Sequence, residues 1–170
     1  MKKLTIWGIV LLVLYVLVFY IPHNLSYYSV YYATNIPHRE GTNPVLVMVA
    51  NNMDTIKLPE NNVELTRGSG FGGPLLLTQK EPHVSVRRFW DGIGTDTLQI
   101  TMVFEENTGE YKYDYIYDEE LGKDVLLTVE QKKEFMISLE NFLSDIVAVQ
   151  EEPSINLQWL FNSLNESKFN

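Results

Sequence analysis

Few residues of this chain have types and spacing that could do chemistry. The histidines are His23, His38 and His83, and no pair of them has the spacing of metal ligands on one helix. The chain has no cysteine, which excludes thiol catalysis and zinc ribbons. Ser69 lacks the G-x-S-x-G context of a nucleophile elbow. The sequence therefore predicts no catalytic residue, and we expect the protein not to be an enzyme.

Two further stretches resemble ligand sites only superficially. GSGFGG at 68–73 has the letters of a dinucleotide motif, but Pro74 and a strand-like run follow where that motif needs a helix. DEELGKD at 118–124 is acidic but lacks the spacing of a calcium-binding EF-hand loop. We interpret the first as a flexible loop and the second as part of a solvated surface. No cofactor and no metal are predicted.

The strongest candidates for function are side chains that could bind another protein. Arg87, Arg88 and Trp90 form a basic and aromatic cluster, although the two arginines could instead pair with acidic strands of the same domain. Trp159 lies off the apolar stripe of its predicted helix, with Ile155 one turn before it. The side chain of Trp159 therefore needs another surface to bury it. That surface could be the chain's own long helix, the tyrosine-rich segment or a second protein.

The net charge of the chain limits the classes of molecule that it is expected to bind. The chain has 22 acidic and 13 basic residues, and two of the basic ones, Lys2 and Lys3, precede the first apolar run. The remainder carries 11 basic and 22 acidic residues, a net charge of −11. Such a domain is not expected to bind nucleic acid, and it suits a basic partner or divalent cations. Solubility alone is the alternative explanation of the acidic charge.

An apolar run from Leu4 to Ile21 positions everything that follows. Its 18 uncharged residues would span about 27 Å as a helix, enough for one membrane crossing. Lys2 and Lys3 before it predict a cytoplasmic N-terminus and a C-terminal domain in the periplasm or at the cell surface. A cleaved signal peptide is the main alternative, but no small-x-small site follows the run. A buried helix of a globular domain is a weaker alternative.

The chain is accordingly divided into three parts. Residues 1–22 are predicted to be a signal-anchor helix, 23–43 a juxtamembrane linker of mainly extended chain, and 44–170 an extracytoplasmic domain. The tyrosines at 27, 28, 31 and 32 could alternatively begin the folded domain as a strand or short helix.

Short apolar or alternating runs predict the strands of that domain. They cover 45–50, 55–58, 63–67, 75–78, 83–90 and 125–127, together with a hairpin over 95–118. We expect the hairpin loop to be 106–109, with Gly109 left-handed. In the expected register Phe104 faces Tyr111, Met102 faces Tyr113, Ile100 faces Tyr115 and Leu98 faces Tyr117, so that all eight share one face.

Two helices complete the predicted fold. Thr128 and Gln131 form a capping box before a helix whose stripe contains Phe135, Leu139, Phe142 and Ile146. A second helix, from about 156 to 166, would bury Leu157, Leu160, Phe161 and Leu164. Strands followed by helices predict an α+β fold, in which the two C-terminal helices cover an antiparallel sheet.

The sequence thus favours a membrane-tethered interaction module of a bacterial cell envelope, such as a subunit of an envelope assembly or an immunity-type protein. A small-ligand-binding or sensory ectodomain is the alternative, and it would need an apolar pocket between sheet and helices.

Overall fold

A computed structural model describes residues 2–60, 62–67, 74–88, 92–97, 100–118 and 123–170. It has an N-terminal apolar helix, an antiparallel sheet and C-terminal helices, so the predicted α+β class is confirmed. The other residues, which include the glycine-rich stretch and Trp90, lie outside the described part of the chain.

The N-terminal helix is continuous but contains one widened turn. It begins as α1 (Lys2–Tyr15), passes through a π-helical turn at Val16–Tyr20 and continues as α2 (Ile21–Tyr27). In the widened turn the N–H of Ile21 donates to the carbonyl of Val16, five residues earlier. Pro22 lacks an N–H, and its ring would clash with the carbonyl of Val18 in a regular α-helix. We attribute the π-helical turn to Pro22.

The segment predicted as a linker, 23–43, is helical in its first half and enters the core, whereas 34–43 form turns and irregular chain. After a break at Tyr28, α3 (Ser29–Ala33) follows α2, and Val30, Tyr32 and Ala33 are buried. The prediction of extended chain was wrong for 29–33, which form α3. The alternative, in which the tyrosines begin the folded domain as a short helix, is the observed arrangement.

The apolar run after Pro44 is also a helix rather than the predicted strand. This helix, α4 (Pro44–Asn51), begins where the side chain of Asn43 accepts a hydrogen bond of 2.9 Å from the N–H of Leu46. Pro44 at its first turn is a common helix-start signal. Leu46 to Ala50 are all buried. The helix therefore has no polar face, and its sequence lacks the alternation of polar and apolar residues that marks a helix. A short, wholly apolar run cannot distinguish a buried strand from a buried helix.

Within the described residues, seven strands form one antiparallel meander in chain order. They are β1 (Val63–Arg67), β2 (Leu75–Gln79), β3 (Val84–Arg88), β4 (Ile93–Asp96), β5 (Ile100–Phe104), β6 (Tyr111–Asp118) and β7 (Lys123–Val125). Residues 55–58, predicted as a strand, instead form the end of a turn and irregular chain.

The β5–β6 hairpin has the predicted loop but not the predicted register. Gly109 is left-handed with φ +69°, and Phe104 faces Tyr111 as expected. A bulge then shifts the pairing, so Val103 faces Tyr113 and Met102 faces Asp114. Lys112 is the additional residue of β6. Tyr113 and Tyr115 therefore do not share the face of Met102. Leu98 lies outside the described residues.

Helices on one side of the sheet enclose the core. Helix α5 (Val129–Ala148) starts at the predicted capping box, with bonds of 3.2 Å and 2.9 Å between Thr128 and Gln131, and its predicted stripe is buried. Helices α4 and α5 pack on β3, whereas α6 (Gln158–Phe169) packs on α3. The predicted cover of two C-terminal helices is thus corrected. Because α6 contacts α3 through residues such as Phe161, Leu164 is exposed instead of buried.

Candidate functional site

The predicted arginine cluster is engaged within the sheet. Arg87 Nε lies 3.1 Å from Asp96 Oδ2 on the neighbouring strand, and Arg88 forms an ion pair with Glu106 in the hairpin loop. This is the internal pairing that the sequence offered as the alternative to a binding site. Trp90, the third member of the cluster, lies outside the described residues.

Trp159 and Ile155, the second pair of candidates, lie on the surface. Trp159 is 69% exposed and Ile155 is 54% exposed. Neither the long helix α5 nor the tyrosine-rich segment covers Trp159 to any large extent. Ile155 lies in the segment before α6, and Trp159 lies in the first turn of α6. Hydrogen bonds join this part of the chain to α2 and α3.

A partly buried hydrogen-bond network fixes that chain against α2 and α3. We call Asn24, Tyr32, Ile155, Leu157 and Gln158 the junction network. The amide of Asn24 donates to the carbonyl of Ile155 at 3.3 Å, and the Tyr32 hydroxyl donates to Asn24 Oδ1 at 2.7 Å. The N–H of Leu157 donates to the Tyr32 hydroxyl at 3.1 Å, and Gln158 Nε2 donates to the Tyr32 carbonyl at 3.0 Å.

Packing keeps the junction network in place. Asn24 and Tyr32 are both buried, and the Tyr32 ring lies 5.3 Å from the ring of Phe161. Burial raises the pKa of Tyr32, and the hydrogen bond from Leu157 only partly offsets this rise. The hydroxyl therefore stays neutral and can donate to Asn24 while it accepts from Leu157. Leaving either buried partner unsatisfied would cost about 1–3 kcal/mol.

The two segments joined by this network are uncharged. Residues 4–38 and 153–165 contain no Asp, Glu, Lys or Arg, although the domain as a whole is strongly acidic. Beside the network, an open groove is lined by Tyr20, His23, Asn24, Tyr27, Tyr28 and Ser154. The two uncharged segments are visible in the sequence, but their contact is not, because it depends on Asn24 and Tyr32 being buried together.

A second polar cluster, around the buried Asp114, lies between strand β6 and the start of helix α5. The Asp114 carboxylate accepts hydrogen bonds from the N–H of Leu127 at 3.2 Å and from the Tyr111 hydroxyl, and Lys132 Nζ lies 2.6 Å from its Oδ2. Burial acts to raise the pKa of Asp114, but the bonds from Lys132, Tyr111 and Leu127 outweigh it and hold the pKa below its ordinary value. Burial, followed by the bond to Asp114, raises the pKa of Tyr111.

This cluster joins structural elements. It connects β6, the start of α5 and the residue before the capping box through one carboxylate. In the expected register Tyr113 and Tyr115 lie on the shared face, so Asp114 between them would lie on the opposite face. In the described part of the chain, no group of three His, Cys, Asp or Glu side chains is placed to hold a metal ion.

Two other exposed apolar side chains lie beside this cluster. Leu126 is 80% exposed and Val129 is 77% exposed, on either side of the helix cap. We call these two residues the cap patch. Leu126 lies in the run 125–127, which the sequence predicts as a strand, and the structure places it after the end of β7.

Comparison with known proteins adds no relative. No protein-family model, no curated protein and no solved structure matches this chain.

Proposed function

We propose that the protein is a membrane-anchored interaction module, with its N-terminus in the cytoplasm and its α+β domain outside. The exposed N-terminal helix carries this proposal. Thr5–Tyr27 forms 23 helical residues, and its most apolar window is 0% buried by the rest of the described chain. The length is about 35 Å, more than the roughly 30 Å of a hydrocarbon core. The length and the exposed apolar surface of this helix are therefore suited to the hydrocarbon core of a bilayer.

The orientation is proposed from charge and from helix continuity. Lys2 and Lys3 lie on the N-terminal side, and the next basic residue is Arg39. This bias favours a cytoplasmic N-terminus. The helix does not end with the apolar run but continues into α2, whose Asn24 belongs to the junction network. This continuity supports an anchor joined rigidly to its domain rather than a removable signal peptide.

A C-terminal fusion to alkaline phosphatase tests topology and cleavage together. The enzyme is active only outside the bacterial cytoplasm, so we expect an active fusion in the membrane fraction with the mass of the uncleaved product. An inactive fusion would reverse the topology. An active product that has lost its first twenty or so residues would make the run a signal peptide.

The domain is proposed to act by binding a protein, through the cap patch. Leu126 and Val129 are among its most exposed large apolar side chains, and exposed apolar groups are typical of the centre of a binding surface. The net charge of −11 favours a basic partner. The module would thus resemble an envelope-complex subunit or an immunity-type protein in its mode of action.

Site-specific photo-crosslinking in cells tests this surface. A crosslinking amino acid at Leu126 is expected to give a discrete adduct, weakened by salt in isolated membranes because screening reduces charge attraction. Leu65, an exposed apolar residue of β1, is the control position. No adduct at Leu126, or the same adduct at both positions, would contradict a partner on the cap patch.

A further inference from the structure

We infer that Ile155 and Trp159 dock into the headgroup layer of the outer leaflet and hold the domain against the bilayer. The inference rests on the proposed anchoring and assigns the second pair of candidate residues to lipid. The surface around Ile155 and Trp159 would thus bind lipid. Binding of a protein partner to the same surface is the competing possibility.

The hydrogen bond to Asn24 sets the position of Ile155 relative to the N-terminal helix and hence to the bilayer. The uninterrupted apolar run ends at Ile21, and Asn24 lies three residues, about 4.5 Å, beyond it. Each headgroup layer is about 5–8 Å thick, from the difference between the full bilayer and its hydrocarbon core. The Asn24 amide donates to the carbonyl of Ile155. The backbone of Ile155 is therefore held at headgroup height.

A second attachment prevents this chain from swinging away. Tyr32 accepts the N–H of Leu157 on its hydroxyl, and its carbonyl accepts from the side chain of Gln158. Trp159 follows directly, in the first turn of α6. Moving Ile155 and Trp159 off the membrane surface would require breaking bonds to the buried Tyr32, or tilting the whole anchor.

The composition of the surface around Ile155 and Trp159 is suited to a headgroup layer. Residues 4–38 and 153–165 contain no Asp, Glu, Lys or Arg, so this face approaches a headgroup layer without the repulsion that the acidic surface would meet at an anionic lipid. Trp and Tyr are enriched at membrane interfaces, where an apolar ring and a polar atom are both accommodated. Tyr27, Tyr28 and Tyr31, in the α2 and α3 segment that is bonded to the chain before α6, are half-buried. A basic partner protein would find no acidic side chain to pair with in these two segments. This face is therefore better suited to lipid than to such a protein.

Tryptophan quenching by brominated lipid in the full-length chain tests the inference. The chain has three tryptophans, and paired substitutions to Phe leave each of them alone. Each variant is reconstituted into phosphatidylcholine vesicles with bromine near the headgroup end or deep in the acyl chain. Trp159 is expected to be quenched more by shallow than by deep bromine. Ile155→Asp should decrease the quenching of Trp159 and leave that of Trp7 unchanged.

Trp7, an exposed residue of α1, reports the anchor separately. Quenching of Trp7 without quenching of Trp159 would overturn the docking and leave the anchor intact. A simultaneous protein crosslink from position 159 in cells would then assign this surface to a protein partner. If Trp7 were not quenched either, both the anchor and the docking would be wrong. Circular dichroism of each variant shows that the fold is retained.

Discussion

Asp114 shows how a single side chain can join separate parts of this fold. Its carboxylate is buried, yet it is held ionised because Lys132, Tyr111 and the Leu127 N–H supply hydrogen bonds. The β-bulge at Lys112 brings it to the inner face. Without that additional residue Tyr113 would face Met102, as the simple alternation of the sequence suggests.

The lowered pKa of Asp114 predicts a specific dependence of stability on pH. Its folded pKa is below the unfolded value of about 3.9, so the unfolded chain binds the proton first as pH falls. The stabilisation is therefore present above about pH 4 and lost as pH falls through the folded pKa. Asp114→Asn should lower the free energy of unfolding by about 1–3 kcal/mol at pH 7, and the deficit should shrink in acid.

Thermal unfolding of the detergent-solubilised full chain at pH 7 and pH 3 measures this effect. Asp124→Asn is a matched control, because Asp124 is exposed in β7. A deficit of the same size at both pH values would show that the charge of Asp114 does not contribute to stability.

At the scale of elements, the hairpin loop and α4 depend on each other. The N–H of Asn43, the residue that caps α4, donates to the carbonyl of Thr108 in the loop at 2.8 Å. At Gly109 an added Cβ would lie 2.6 Å from the Asn43 carbonyl oxygen. The sequence identified the loop and its glycine but not this contact, because α4 was predicted to be a strand.

Gly109→Ala is predicted to destabilise the domain more than Gly41→Ala does. Both glycines have positive φ, so each alanine variant bears a left-handed backbone cost of about 1–2 kcal/mol. Gly41 has nothing within 4 Å of an added Cβ, whereas Gly109 would also displace the Asn43 backbone. Chemical denaturation of both full-length variants compares the costs. Equal destabilisation would mean that the hairpin loop does not press on α4.

At the scale of the whole molecule, local signals were enough for some elements and insufficient for others. The capping box and buried stripe of α5 depend on neighbouring residues, and both were predicted correctly. The π-helical turn, the entry of Tyr32 into the core and the junction network depend on contacts between residues far apart in sequence. Trp159 was correctly placed off the stripe of its helix, but its neighbours became known only with the fold.

The central claim is that the N-terminal helix is embedded in a bilayer while the domain remains folded outside it. Membranes from cells that express the full-length chain are washed with alkaline carbonate, which removes surface-bound proteins and leaves integral ones in the pellet. A matched variant with Leu11→Arg and Val13→Arg places two charges at the helix centre, each costing about 2.5–3.5 kcal/mol of insertion. We predict that the unmodified chain stays in the pellet at its full mass and that the charged variant is released. Release of the unmodified chain by carbonate would contradict the account.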